Sequence, residues 1–169
     1  GEEPATLVGQ GANRQYVTID EIPLDLQHAF VAIEDERFYD HNGIDLHGIA
    51  RAFISGLSKG RFSEGASTIT QQLIKNNVLT SWTSETSFVE KLQRKIQEQY
   101  LALELEKQVK DKDWILENYM NSVNLGANTL GVQAASKKYF NKDVSELTLS
   151  EASVIAGITQ NPSGYNPIT

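Results

Sequence analysis

The chain has 169 residues, 40% hydrophobic and 22% charged, with a formal net charge of −7. That length suits one domain with a real core, and the acidic balance argues against general nucleic-acid binding, which needs a basic field. The absence of cysteine excludes a disulfide scaffold, a thiolate metal site and a cysteine nucleophile, and no stretch approaches the roughly 18–20 apolar residues of a membrane-spanning helix.

In chain order, the first 20 residues are mixed and polar, with a short strand expected at residues 17–19. Pro23 suits the first turn of a helix, and Leu26, Phe30 and Ile33 follow at helical spacing, so a helix is expected over residues 24–37. Asp45 is a candidate cap for the next helix, where Leu46, Ile49, Ala50, Phe53 and Leu57 form an apolar stripe opposite His47, Arg51, Ser55 and Lys59. A glycine-bearing polar loop over residues 59–66 leads to a third helix, opened at Ser67 or Thr68 by a capping box ending in Gln71.

Residues 76–86 are polar and break the periodicity, although Val78, Leu79, Trp82 and Phe88 in and beside them would suit a membrane interface. A folded-back surface loop fits the same residues. A long helix is expected over residues 87–108, with Phe88, Leu92, Ile96, Tyr100 and Leu103 on one side. Asp113 is the expected cap of a helix holding Ile115, Leu116, Tyr119 and Met120. Gly126 and Gly131 bracket a loop before a helix through Lys138, and Thr148 with Glu151 opens a last, small-residue helix. The chain reads as mainly α.

Three constellations stand out for their chemistry. Glu34 follows Ile33 and lies one turn beyond Phe30, so it leaves its helix beside apolar surface, a setting that suits a carboxylate to general-base work. An ordinary acidic helix end has the same composition. The segment from Gly65 through Ser67, Thr68, Gln71 and Gln72 to Lys75 puts a flexible loop before a helix start, where free backbone N–H groups make an anion site. Ser67, Gln71 and Lys75 fall on one face there, as they also would on a well-capped polar helix. Arg94, Lys95 and Glu98 make either a surface ion pair or a carboxylate set among cations beside an anionic leaving group. His41 and His47 lack a third partner for a zinc triad, and His28 looks like an exposed helix residue.

The order and spacing of these segments carry a resemblance. Glu34-Asp35, Phe38, His41 and Gly43, then Gly65 with Ser67 to Gln72, then Arg94-Lys95 and Glu98, then Ile115-Leu116-Glu117 with Tyr119 and Asn121, resemble the successive signatures of glycosyltransferase family 51. The likeness runs from about Arg14 to Pro167. It implies a lysozyme-like helical fold with a large head lobe and a small membrane-associated jaw lobe. The implied activity is a peptidoglycan glycosyltransferase that polymerises lipid II into β-1,4-linked glycan, with inversion and release of a lipid pyrophosphate.

By that resemblance Glu34 is the catalytic base and Glu98 the second essential glutamate, with Glu98 also a candidate ligand for a divalent metal, Mg or Mn. Asp35, Phe38, His41, Arg51, Gly65, Ser67, Thr68, Gln71, Gln72, Lys75, Arg94 and Lys95 are the implied substrate-binding residues. The implied partners are lipid II, the lipid-linked glycan, the outer surface of the bacterial cytoplasmic membrane and a C-terminal transpeptidase domain in the full-length chain; nucleic acid is not among them. Residues 1–20 are expected to be the remnant of a linker from an upstream membrane anchor, and residues 21–169 the glycosyltransferase domain, truncated before its C-terminal helix.

Gln97 stands where many relatives carry lysine, and Glu90 where a cation is common. These departures motivate an alternative, a weakly active or inactive relative that binds peptidoglycan precursors. A lysozyme-like lytic enzyme is a further alternative suggested by the fold. A glycosidase, however, needs an acid to protonate an alcohol leaving group, whereas a pyrophosphate needs positive charge and hydrogen bonds. The basic neighbourhood of Lys75 and Arg94 therefore favours transfer.

Overall fold

The structure, a computed structural model, describes residues 15–59, 67–78 and 87–168. Gly65, Leu79, Trp82 and residues 1–14 therefore lie outside the described residues. Within these there are seven α-helices and no strand: α1 (Leu24–Glu34), α2 (Leu46–Lys59), α3 (Ile69–Asn77), α4 (Phe88–Val109), α5 (Lys112–Ser122), α6 (Val132–Phe140) and α7 (Leu149–Ile158). Short 3-10 turns lie at Ile19–Glu21 and Val144–Glu146.

The core is built where the apolar faces of these helices meet. Leu26 and Phe30 of α1, Leu73 of α3, Leu116 and Tyr119 of α5 and Ile155 of α7 belong to one buried cluster. Fully burying a side chain of this size contributes about 1.5–3 kcal/mol. The Phe30 and Tyr119 rings meet edge to face with centroids 6.1 Å apart, a favoured aromatic geometry. α1 packs along α7, and α3 packs against both α4 and α5.

Local signals place most helix starts. Thr68, Ser87 and Thr148 each form a capping box, with Gln71, Glu90 and Glu151 as the reciprocal partners. The helix expected to begin at Asp113 is capped instead by Asp111, whose carboxylate accepts from the backbone N–H of Asp113 and Trp114. α4 closes just before, on Lys110 in the left-handed region, which leaves Asp111 as the first residue able to cap.

Two further expectations are corrected. Residues 17–19 form no strand. The backbone N–H and C=O of Val17 pair with the Asn121 side-chain amide at 3.0 and 2.8 Å, and Glu117 accepts from Ile19 N at 2.6 Å, so side chains of α5 take the place of a neighbouring strand. Val17, within the segment expected to be a linker, is buried in the core. The first helix stops at Glu34 rather than Arg37, because Asp35 leaves helical geometry at φ −160° and ψ 71°.

The long helix α4 inverts the usual arrangement. Its row of Val89, Leu92, Ile96, Tyr100 and Leu103 is exposed, whereas Glu98, Ala102 and Glu106 are buried. Thr70 of α3 donates to Glu106, and Lys112 completes an ion pair with the same carboxylate at 2.6 Å. Buried carboxylates are tolerated only when partnered in this way.

Candidate active site

The end of α1 delivers Glu34 into a hollow shared with Asp45, Gly48, Arg51, Ser67 and Thr68. Glu34 is half-buried and accepts three hydrogen bonds. Gln72 Nε2 donates to Oε2 at 2.7 Å, Gln160 Nε2 donates to Oε1 at 2.9 Å, and Thr159 Oγ1 donates to Oε1 as well. The Gln72 amide is itself fixed: its Oε1 accepts from the Tyr119 hydroxyl at 3.2 Å. Burial pushes the Tyr119 hydroxyl well above its ordinary pKa, with the charges of Glu34 and Asp35 adding to the effect. Tyr119 thus keeps its proton and remains a donor.

The residues just after Glu34 form a knot beneath it. Asp35 is buried and accepts from His41 Nε2 at 2.9 Å and from the backbone N–H of Ile69 at 3.0 Å. His41 Nδ1 accepts from Gly43 N at 3.1 Å, so the hydrogen-bond network assigns the ring proton to Nε2. Thr68 Oγ1 donates to Gly43 O at 2.8 Å. Gly43 sits at φ +92°, and a Cβ there would lie 2.7 Å from Ala102 O, so only glycine fits this crossing. Phe38 is fully buried, its ring carrying the Lys112 ammonium 4.5 Å from the centroid. Asp35, Phe38 and His41 are thus engaged with the protein itself.

That knot takes up part of the backbone at the start of α3, where an anion site is expected. The backbone N–H of Ile69 is taken by the Asp35 carboxylate, and that of Gln71 by Thr68 Oγ1 at 3.2 Å. The positive end of the helix is already occupied by an internal carboxylate, the charge it prefers. What remains near this knot is a set of cationic and donor side chains.

Those side chains come from α3 and α4. Lys95 Nζ donates to Ser67 Oγ at 2.5 Å, to Gln71 Oε1 at 3.3 Å and to Glu98 Oε2 at 3.0 Å, while Arg94 donates to Glu98 Oε1. The buried Gln71 Nε2 has no hydrogen-bond partner among the described residues. Flipping the amide would not help, because Lys95 and the Thr68 N–H both face the oxygen side. Lys75, one turn further along α3, is exposed. Ser67 is the link between the two halves, lining the hollow with Glu34 while holding Lys95. Arg51 lies at the rim, exposed and 3.6 Å from Glu36.

The residues around Glu98 do not fit a divalent cation. Mg or Mn prefers several oxygen donors, whereas both Glu98 oxygens face cations, and no cluster of three carboxylates or imidazoles occurs among the described residues.

The sequence reading missed Thr159 and Gln160, which lie 125 and 126 residues from Glu34. They close a small-residue helix with no local mark of a site. Tyr119 stood within a recognised motif, but nothing local tied its hydroxyl to Gln72.

The family described as Transglycosylase matches residues 1–169. Penicillin-binding protein 1A of Clostridium botulinum (strain Hall) is 47% identical over 161 residues, covering 92% of this chain and 18% of that protein. Penicillin-binding protein 1A of Neisseria flavescens is 46% identical over 155 residues, with coverages of 92% and 18%. Penicillin-binding protein 1F of Bacillus subtilis (strain 168) is 45% identical over 168 residues, with coverages of 99% and 22%. The chain thus spans about a fifth of the length of the curated relatives it matches.

Proposed function

This chain belongs to the transglycosylase family, and from that premise we propose that it is a peptidoglycan glycosyltransferase that polymerises lipid II. Glu34 takes the proton of the acceptor sugar's 4-hydroxyl. The freed oxygen attacks the anomeric carbon of the lipid-linked donor, and the bond from that carbon to the pyrophosphate oxygen breaks, its electron pair leaving with the lipid pyrophosphate. Attack opposite the leaving group inverts the centre and gives a β-1,4 link from an α-linked donor.

The observation that carries this reading is the continuity from base to cations. Glu34 and Ser67 line one hollow, and Ser67 holds Lys95, which with Arg94 surrounds Glu98. Lys95 and the exposed Lys75 would stabilise charge developing on the pyrophosphate, a task for fixed cations. A hydrolase of this fold would instead need a protonated acid to release an alcohol leaving group, whereas the cations around Glu98 suit a leaving pyrophosphate.

Membrane association belongs to the same proposal. No helix among the described residues is long and apolar enough to cross a membrane, but the exposed apolar row of α4 suits contact with a lipid surface. The extracytoplasmic face of the cytoplasmic membrane is where lipid-linked substrate would be presented. A transpeptidase domain elsewhere in the full-length protein fits the small share of its relatives that this chain spans.

The test is incubation with labelled lipid II in detergent, followed by separation of products. Long glycan from the parent protein, reduced about 10²–10⁴-fold in Glu34→Gln, is the expected result. Lipid II binding without polymer would indicate a precursor-binding relative, and cleavage of preformed glycan a lytic enzyme; either overturns the proposal.

A further inference from the structure

The hydrogen bonds on Glu34 are unequal between its two oxygens, and that inequality has a catalytic consequence. A carboxylate oxygen offers two lone-pair sites. Oε1 receives two donors, Thr159 Oγ1 and Gln160 Nε2, and Oε2 receives one, Gln72 Nε2. Within the described residues Oε1 is saturated and Oε2 retains one open site. Tyr119 locks the Gln72 amide so that its N–H₂ faces Oε2. We propose that Thr159 and Gln160, at the end of α7, are positioning residues that occupy Oε1 of Glu34 and leave Oε2 as the oxygen that takes the acceptor's proton.

The fold supports this assignment. α1 and α7 pack along one another, and Glu34 is the last residue of α1 while Thr159 directly follows α7. The Thr159 hydroxyl has one proton and two acceptors in reach, Glu34 Oε1 and the Ala156 carbonyl at 2.7 Å. The charged oxygen is the stronger acceptor. The clamp therefore joins the base to a helix that supplies none of the cationic residues. A base held this way needs no reorganisation when the hydroxyl arrives.

This inference rests on the glycosyltransferase reading, and the experiment separates the two. Initial rates of lipid II polymerisation are measured for the parent protein, Thr159→Val, Thr159→Ser and Gln160→Leu, with thermal melting recorded for each. Thr159→Val keeps shape and removes the donor; kcat is expected to fall about tenfold with KM for lipid II within twofold, the pattern of a lost transition-state effect. Thr159→Ser restores the hydroxyl and should return kcat to within about threefold of the parent. Gln160 is exposed, so Gln160→Leu should fold normally and lower kcat by about threefold or more.

If Thr159→Val fails to fold, Gln160→Leu and Thr159→Ser decide. Unchanged kcat in Thr159→Val or Gln160→Leu, a change confined to KM, or a Thr159→Ser protein whose kcat stays about tenfold below the parent overturns the clamp. A parent protein that makes no glycan overturns the underlying function instead.

Discussion

Replacing Lys95 by methionine separates the structural and chemical uses of one ammonium group. Its Nζ serves Ser67, Gln71 and Glu98 together, and the Glu98 side chain is only 2% exposed. Breaking a buried pair by removing one partner costs about 3–5 kcal/mol. Lys95 is 34% exposed and Glu98 keeps Arg94, so solvent and the second cation reduce this to about 2 kcal/mol. For a domain of this size that lowers the melting temperature by roughly 4–8 °C. In Lys95→Met/Glu98→Gln the half-compensated carboxylate is gone, and about 1–2 kcal/mol should return as coupling energy.

Activity should behave differently. On the proposed function, Lys95→Met removes a cation that would face the leaving group and should lower polymerisation about 10²–10³-fold, and the double variant should recover stability without recovering rate. The assay is a full cycle of four proteins, each followed by urea and thermal unfolding and by lipid II polymerisation. Lys95→Met melting within 1 °C of the parent would refute the coupled cluster, as would a double variant as unstable as the single one.

Two other perturbations test the fold that supports the site. The Lys142 ammonium, with Thr148, lowers the Glu151 carboxyl from its ordinary 4.5 to about 2. Its contribution is fully present above the unfolded value near 4.5 and is lost as pH falls through that range toward 2. Glu151→Gln should therefore flatten the decline of stability between about pH 5 and 2, and an unaltered slope in acid unfolding would remove the inference. At Gly126, φ is +77° and a Cβ would fall 2.2 Å from Pro162 O. Gly126→Ala should cost about 2–4 kcal/mol, whereas Gly157→Ala in α7, where a Cβ meets nothing within 4 Å, should be neutral or stabilising by up to about 1 kcal/mol. Equal melting temperatures for the two would contradict this account of the loop.

Much of the helix layout was legible because its signals are local. The capping boxes at Thr68 and Thr148 are satisfied by residues three positions away, and such short-range chemistry survives whatever the rest of the chain does. Where a signal had a non-local competitor, local reading failed. The first helix ends early because Asp35 has partners in His41 and in Ile69, 34 residues on. The expected strand at residues 17–19 is lost because Asn121, more than a hundred residues later, offers Val17 both a donor and an acceptor.

The same division runs through the site. Ordered motifs named Glu34, Gln71, Gln72, Lys95 and Glu98, since family resemblance is carried by residue types and their spacing. Which groups remain free to act was settled by tertiary packing. Asp35 fills the positive end of α3 that looked open to an anion, and α4 turns Glu98 inward and its apolar row outward. Thr159 and Gln160 reach Glu34 only because α1 and α7 end side by side. The physical reason is that a hydrogen bond or ion pair is decided within about 3–4 Å of space, a neighbourhood that residues distant in the chain enter only after the helices have packed.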